Sequence, residues 1–108
     1  MSVKKIVAAT GCIMGMAHSR MAAASLKKAA AKEGIELLVE IHDCTGVVDR
    51  LTEEQIAEAD AIIWAVEVSI QGAERFDGYQ ILRAVPKDAI RNPLDLITRA
   101  LAMAQAAE

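Results

Sequence analysis

Residues 5–32 contain the feature that most limits what this chain can fold into: a short apolar run, a loop with two glycines and a long helix-forming stretch. Residues 5–9 are mostly apolar and partly β-branched, which favours a strand, and residues 21–32 are dense in Ala, Leu and Lys, which favours a helix. Residues 10–19 lie between them as a loop that opens into the helix. Because a strand that passes through a loop into a helix is the first half of a parallel β–α–β unit, the sequence favours an α/β fold.

The same alternation continues to the end of the chain. Further strands are predicted at residues 36–41, 61–66 and 79–85, and further helices at 52–59, 86–90 and 94–106. Gly34 provides a stop for the first helix, and Thr52 and Gln55 have the spacing of a capping box. Residues 42–46 are predicted as a loop. We therefore predict a single domain over residues 1–108, a three-layer α/β sandwich with a four-stranded parallel sheet that is Rossmann-like.

The composition excludes several classes of function. The chain has 12 Lys and Arg against 15 Asp and Glu, and it has one Phe, one Tyr and one Trp, so it offers neither a basic surface nor stacking platforms for nucleic acid. Its longest apolar run, residues 61–66, is far shorter than the ~20 residues that span a bilayer, and the N-terminus lacks an apolar signal-peptide region. We expect a soluble, cytoplasmic protein that does not bind nucleic acid.

Cys12 is the first candidate for chemistry because it follows the first predicted strand and precedes the first helix. In parallel sheets, ligands bind at the carboxyl ends of the strands. The first N–H groups of a helix have no partner inside it, so they stabilise a thiolate or a phosphate and lower the pKa of a thiol. Gly11 and Gly15 allow the backbone N–H groups to fold inward around an anion. Cys12 is therefore either a reactive thiol or a buried core residue, as free cysteines often are.

The residues after Cys12 complete a candidate phosphate loop. Its members are Ile13, Met14, Gly15, Met16, Ala17, His18 and Ser19. His18 can hydrogen-bond a phosphoryl oxygen or move a proton near the thiol, or it can simply bond its neighbours in the first helical turn. Ser19 can cap the helix and donate to an anion. Only the cluster as a whole makes these residues candidates for a site.

Cys44 is the second of two cysteines, which are too few for a disulfide scaffold. The spacing of the cysteines with His18 and His42 matches no common zinc pattern, so we expect neither a metal nor a cofactor. If the first two strands are neighbours, the loop that contains Cys44 lies beside the Cys12 loop. Cys44 is then either an incidental thiol or a disulfide partner of Cys12.

Several short motifs occur together in this chain. They are Thr10-Gly11-Cys12, Gly15, Ala17-His18, Met21-Ala22-Ala23, Val39-Glu40, Gly46, Leu51-Thr52 and Glu74-Arg75-Phe76. In this combination the chain resembles, over most of its length, the fructose-type IIB component (EIIB) of the bacterial phosphoenolpyruvate-dependent sugar phosphotransferase system (PTS). In that family the loop cysteine takes a phosphoryl group from a phosphohistidine of the IIA component and passes it to a sugar. The resemblance implies a phosphotransferase in which Cys12 carries the group as phosphocysteine.

The resemblance also implies the partners of the chain. They are the phosphorylated IIA component, the membrane-embedded IIC component, and fructose or a fructose-like sugar that IIC holds. A cytoplasmic IIB component meets the inner membrane only through IIC. The resemblance therefore implies a protein of sugar transport that is peripheral to the membrane.

The chain departs from the family pattern at several positions, and two groups of these lie in the predicted loops. Ile13 stands where proline is usual and Met14 where Thr or Ser is usual, and Ile41-His42-Asp43 stands where the family has Thr-Gln-Gly. If this second loop lies beside the first, Asp43 places a negative charge near a phosphorylated cysteine, and a protonated His42 offsets that charge. Cys12 itself is retained. The departures therefore bear on which sugar and partners are used and on how efficient the transfer is.

Three other functions are compatible with the residues. One is a diverged IIB-fold regulatory or binding module, because both loops have changed. Another is a relative of cysteine phosphatases or arsenate reductases, although those phosphatases need an arginine six residues after the cysteine, where this chain has His18. The third is a redox dithiol formed by Cys12 and Cys44.

The Glu74-Arg75-Phe76 motif and Trp64 each have a structural interpretation. The motif either orients the site or contacts a partner, or it is a salt-bridged loop whose Phe76 packs in the core. Trp64, within the third predicted strand, is interpreted as a core residue.

Overall fold

The computed structural model describes residues 4–11, 16–43, 46–67 and 72–106, and within these ranges the side chains of residues 16–18, 43 and 104–106 are outside the description. The strands are β1 (Lys5–Gly11), β2 (Glu36–Asp43), β3 (Gly46–Val48), β4 (Ala61–Val66) and β5 (Leu82–Ala84). The helices are α1 (Met16–Lys32), α2 (Glu53–Glu58), α3 (Pro86–Arg91) and α4 (Pro93–Ala106), and Ala73–Phe76 forms a 3₁₀ helix. The predicted alternation of strands and helices is confirmed.

The strands of the described residues form one sheet in the order β3-β2-β1-β4-β5. β2, β1, β4 and β5 run parallel, and they are the four parallel strands that the sequence predicts. β3 is an additional antiparallel strand that pairs with the end of β2. The predicted Rossmann-like α/β class is therefore confirmed, with a sheet of five strands instead of four.

The predicted loop over residues 42–46 is wrong at both ends. His42 and Asp43 continue β2, and Gly46 opens β3 directly opposite Asp43 in the register. His42 and Asp43 are polar and interrupt the apolar run of β2. A prediction from apolar side chains alone therefore places the end of the strand too early. The strand continues because the backbone of β3 pairs with it, and backbone pairing does not depend on apolar side chains.

Helices cover both faces of the sheet, which confirms the predicted three layers. α1, α3 and α4 pack on one face, and α2 packs with the 3₁₀ helix on the other. The side chains of β1 alternate between the faces: Ile6 and Ala8 are buried on the α1 side, and Val7 and Ala9 on the α2 side. Both faces of the central strand are thus apolar, as a parallel sheet between two layers of helices requires.

Two predicted helix ends are confirmed in atomic detail. After α1, Gly34 adopts φ +69°, and the N–H of Ile35 donates to the carbonyl of Ala30 at 2.9 Å, which is the pattern of a Schellman C-cap. Before α2, the Thr52 hydroxyl accepts from the N–H of Gln55 at 3.1 Å, and the Gln55 side chain accepts from the N–H of Thr52 at 2.9 Å. These reciprocal bonds complete the predicted capping box.

Other boundaries differ from the prediction by a few residues. β1 extends to Gly11 and α1 begins at Met16, so the connection between them is shorter than the sequence pattern indicates. β5 covers only Leu82–Ala84 of the predicted residues 79–85. Among the helices that the structure describes, none combines the length and apolar character needed to cross a membrane.

Candidate functional site

Gly11 lies at the carboxyl end of the central strand of the sheet. The register places it opposite His42 of β2 on one side and opposite Val66 of β4 on the other. Its carbonyl accepts a hydrogen bond from the N–H of Glu67 at 2.9 Å. Since Cys12 is the next residue in the sequence, the chain enters the candidate loop at the edge where open α/β sheets bind ligands.

The predicted phosphate loop falls only partly within the described residues. Cys12, Ile13, Met14 and Gly15 lie outside them, as does Cys44, so the roles assigned to these residues stay predictions. The remaining predicted loop residues, Met16, Ala17, His18 and Ser19, form the first turn of α1 instead. The helix therefore starts only four residues after Cys12 in the sequence, which keeps its unpaired first N–H groups near the cysteine along the chain.

Two hydroxyl groups are buried where the loop leaves the strand and joins the helix. Thr10, near the end of β1, and Ser19, in the first turn of α1, are both fully buried. Neither hydroxyl has a hydrogen-bond partner among the described residues. Ser19 is the fourth residue of α1, so the prediction that it can cap the helix is wrong.

Glu40 is the most unusual residue of the sheet, because it is a fully buried carboxylate on the same strand face as His42. Its Oε1 accepts hydrogen bonds from the N–H of Leu51 at 2.8 Å and from Nη1 of Arg75 at 2.7 Å. Its Oε2 accepts from Nη2 of Arg75 at 2.9 Å and lies 2.5 Å from Nε2 of His42. All four acceptor positions of the carboxylate are thereby used.

Arg75 links three parts of the chain through one guanidinium group. The guanidinium makes two bonds to Glu40. In addition, its Nε donates to the carbonyl of Gly72 at 2.7 Å, and its Nη1 donates to the carbonyl of Leu51 at 2.5 Å. The guanidinium carbon also lies 5.3 Å from the ring centre of Phe76. A planar fork with five donors suits this arrangement, which a lysine could not reproduce.

The charges of this cluster are stabilised by their mutual contacts. Burial raises the pKa of Glu40, but hydrogen bonds from His42, Arg75 and the backbone of Leu51 outweigh that effect and lower the pKa from 4.5 to about 2. The hydrogen bond to Glu40 raises the pKa of Arg75. Glu40 and Arg75 are therefore both ionised at neutral pH, as a pair with no net charge.

His42 lies within β2, so its assignment to a second loop is wrong. It is 8% exposed, and its Nε2 faces the ionised Glu40. A carboxylate has only acceptors, so Nε2 is the nitrogen that carries the proton in this contact. Asp43 follows as the last residue of the same strand.

Glu40 and Arg75 belong to separate sequence motifs, and the motifs alone do not predict that the two residues pair. The signal that could have paired them is a glutamate in the middle of an apolar strand, because a buried charge needs an opposite charge and further hydrogen bonds. For the motif of residues 74–76, the salt-bridged alternative is confirmed: Arg75 pairs with Glu40 and Phe76 is buried. Whether the motif also contacts a partner is a separate prediction.

Trp64 extends this cluster towards the edge of the sheet. Its ring packs edge-to-face on Phe76 with a centroid distance of 5.2 Å, and the guanidinium carbon of Arg83 lies 5.0 Å from its ring centre. Trp64 is only partly buried, so it borders the core of the α2 side without being enclosed by it.

Within the described ranges, no group of three or more His, Cys, Asp or Glu side chains is arranged to hold a metal ion. The polar groups that the structure describes at the carboxyl end of the sheet interact through hydrogen bonds and ion pairs. A carboxylate, a guanidinium and an imidazole meet beside the residue that precedes Cys12. This combination can orient an imidazole and can stabilise or transfer a proton at this edge of the sheet.

Comparison with known proteins gives consistent matches. Residues 7–99 match the sequence model of the family described as "PTS system, Lactose/Cellobiose specific IIB subunit". The chain is 38% identical over 102 residues to the PTS system fructose-specific EIIB component of Haloferax volcanii, and the match covers 94% of this chain and 64% of that protein. It is 39% identical over 94 residues to the PTS system fructose-like EIIB component 1 of Escherichia coli K12, with 87% of each chain covered.

Solved structures are similar in fold as well as in sequence. The crystal structure of a domain from the fructose-specific IIABC component of Borrelia burgdorferi superimposes with a TM-score of 0.87 and 34% identity, over 94% of this chain and 96% of that chain. The chain spans less than two thirds of the length of the Haloferax protein, at 64%, and most of the length of the Borrelia domain.

Proposed function

We propose that this chain, which belongs to the PTS family described as lactose/cellobiose-specific IIB subunits, is a fructose-type phosphocarrier. In this proposal Cys12 is the phosphorylated residue. The relatives named above are a fructose-specific and a fructose-like EIIB component, which supports fructose or a fructose-like sugar as the final acceptor. In this proposal the chain acts as one EIIB-like domain over residues 1–108. It is a transferase component that needs no metal or cofactor of its own.

The proposed reaction is a two-step phosphoryl transfer. The Cys12 sulfur attacks the phosphoryl group of a phosphohistidine on a IIA component, so that the P–N bond breaks and an S–P bond forms. A hydroxyl of the sugar held by IIC then takes the phosphoryl group, and the S–P bond breaks. In such transfers most of the catalysis comes from positioning and from stabilising the charge on the phosphoryl oxygens.

The observation that carries the proposal is the position of Gly11. It ends the central strand at the carboxyl edge of the sheet, between β2 and β4, and Cys12 follows it directly. α1 begins four residues after Cys12, so the unpaired N–H groups of its first turn are available to a phosphocysteine dianion. We propose that residues 13–15 and the N–H groups of residues 16–19 make up the phosphate site.

The proposed partners follow from family membership. The Borrelia domain comes from a protein named as a IIABC component, in which the A, B and C units share one polypeptide. We propose that this chain receives its phosphoryl group from a IIA unit and delivers it at a IIC unit. It would then act in the cytoplasm and reach the inner membrane through IIC.

Intact mass spectrometry tests the proposal directly. The protein is incubated with phosphoenolpyruvate, the general phosphotransferase proteins and a panel of IIA partners. We expect one added phosphoryl group on the parent and on Cys44→Ser, and none on Cys12→Ser. Labelling of Cys12→Ser would move the site to another residue, and absence of labelling with every IIA partner would support a regulatory or binding module instead.

A further inference from the structure

We propose that His42, which Glu40 and Arg75 hold in a single tautomer, is the proton acceptor of the Cys12 thiol. This inference rests on the proposed phosphocarrier function and adds a residue to its chemistry. A thiol must lose its proton before its sulfur can form the S–P bond, because the thiolate is the nucleophile. Among the described residues, His42 is the imidazole that lies beside Gly11.

His42 lies beside the residue that precedes Cys12. His42 and Gly11 are register partners on adjacent parallel strands, whose backbones are about 4.8 Å apart in such sheets. Residues paired in this way point to the same face of the sheet, and Gly11 has no side chain to occupy that face. The peptide bond after Gly11 leads to Cys12. The imidazole of His42 is thus anchored on the strand next to the start of the cysteine loop.

The contact with Glu40 fixes the tautomer of His42. Glu40 is ionised and accepts a hydrogen bond at Oε2, so Nε2 of His42 carries a proton. In the neutral ring the lone pair then belongs to Nδ1, which makes no hydrogen bond to any described residue. A neutral imidazole with one nitrogen held by a carboxylate presents the other nitrogen as a base, and this division of roles is common where histidines move protons.

The carboxylate of Glu40 is itself held in place. Arg75 binds both oxygens of Glu40, and the N–H of Leu51 binds Oε1, so the carboxylate cannot rotate away from His42. Glu40 and Arg75 also neutralise each other. A proton that His42 accepts therefore creates a positive charge beside an ion pair of no net charge, next to the place where a thiolate forms.

The charged groups around His42 come from several elements. Glu40 lies on its own strand and contacts it, and Arg75 reaches the same carboxylate from the 3₁₀ helix. Asp43 is the next residue along β2. Glu67 follows β4, and its N–H bonds to Gly11 on the side away from β2.

With His42 as the proton acceptor, every proton and electron pair of the transfer is accounted for. As the thiol proton moves to Nδ1 of His42, the sulfur forms its bond to phosphorus and the P–N bond of the donor breaks, leaving the electron pair on the donor nitrogen. When the sugar oxygen takes the phosphoryl group, the S–P electron pair returns to sulfur. The imidazolium then returns its proton to the thiolate, and the proton of the sugar hydroxyl passes to water.

The first experiment reads the tautomer by nitrogen NMR of the histidine rings in the isolated protein. We expect His42 to be protonated at Nε2 and unprotonated at Nδ1 above its titration in the parent. In Glu40→Gln, whose amide can donate or accept, we expect a mixture of tautomers. A parent spectrum with the proton on Nδ1 would overturn the proposal, whether or not Glu40→Gln folds.

The second experiment measures the alkylation rate of Cys12 against pH in a Cys44→Ser background, without any phosphoryl donor. His42→Gln is the informative variant because glutamine can still donate to Glu40, and glutamine is the usual family residue here. We expect the apparent pKa of Cys12 to rise by about 0.5 or more, which slows alkylation at pH 7 about threefold. Unchanged rates in His42→Gln would overturn the proposal.

The two proposals fail in distinguishable ways. Alkylation and NMR use the isolated protein, so their outcome does not depend on any IIA partner. If Cys12 accepts no phosphoryl group but His42→Gln slows its alkylation, the proton acceptor stands and the phosphocarrier function falls. If Cys12 is phosphorylated and His42→Gln changes nothing, only the role of His42 falls.

Discussion

Arg75 and Glu40 are 35 residues apart in the sequence and form a bidentate pair, with Nη1 donating to Oε1 at 2.7 Å and Nη2 donating to Oε2 at 2.9 Å. The pair is almost completely enclosed, since the side chains are 8% and 0% exposed. It joins the 3₁₀ helix to the central part of the sheet. Removing either partner would leave the other charge buried without its counterion.

The first prediction concerns this pair. Arg75→Ala should lower the free energy of unfolding by about 3–5 kcal/mol, because it leaves the Glu40 carboxylate buried and unpaired. Arg83→Ala is the matched control: it removes an arginine that lies over Trp64 at the sheet edge, and it should cost about 1 kcal/mol or less. Urea unfolding of both variants checks this. Equal losses would mean that the Glu40 pair contributes no more than a surface contact.

The second prediction is an acid dependence of stability. The pKa of Glu40 is lowered from 4.5 to about 2, so its contribution is complete above about pH 4.5 and is lost as the pH falls towards 2. The difference corresponds to about 3 kcal/mol. Unfolding free energies measured between pH 2 and 6 should fall less steeply in Glu40→Gln than in the parent. Glu58→Gln, which removes an exposed carboxylate near Lys5, should keep the parent slope.

The third prediction compares two glycines with positive φ. At Gly34 a Cβ would meet nothing within 4 Å, so Gly34→Ala should cost only the left-handed backbone penalty of about 1–2 kcal/mol. At Gly72 a Cβ would lie 2.8 Å from Nε of Arg75, which is already bonded to the Gly72 carbonyl. Gly72→Ala should therefore cost more in urea unfolding.

Arg75→Ala provides the control for that comparison. In an Arg75→Ala background the excess cost of Gly72→Ala over Gly34→Ala should shrink, because one of the two side chains that crowd position 72 is gone; the other is Arg50. An excess that persists unchanged would assign the crowding to Arg50 alone.

The fourth prediction concerns the charge at Asp43, which ends β2 directly after His42. The prediction takes the Asp43 carboxylate and a phosphoryl group on Cys12 to be a few ångströms apart. Two negative charges at that separation repel by roughly 2–4 kcal/mol at an effective dielectric constant near 20. Asp43→Gly should therefore raise the equilibrium fraction of phosphorylated protein against a fixed phospho-IIA donor, most clearly at low salt. Intact mass measures the fraction. Glu58→Gln, beside the first residue of β1, is the control and should match the parent.

Much of the fold was predictable because local signals and the fold agree. Thr52 and Gln55 form the capping box that their spacing predicts, and Gly34 ends α1 as a glycine in that position often does. β3 was not predictable, because its three residues have no pattern of their own and depend on pairing with β2. For the same reason the true end of β2 was missed.

The candidate site was predictable in part. The position of Cys12 after the first strand follows from the local sequence, and the structure places Gly11 at the expected edge. The bonds from Arg75 to Glu40 join residues that are distant in sequence, so no local pattern contains them. His42 was expected in a loop, and only the tertiary structure shows it to be a buried strand residue with one nitrogen held by Glu40.

The two faces of the sheet have cores of unequal size. Among the described residues, 17 buried apolar residues lie on the face of α1 and six on the face of α2. In native-state hydrogen exchange, amides of α2 should therefore exchange through local opening, whereas amides of β1 should exchange only through global unfolding. Glu40 and Arg75 lie on this side with the smaller core, and their ion pair opposes such an opening. We therefore expect the described α2 side of the sheet to open more readily than the α1 side.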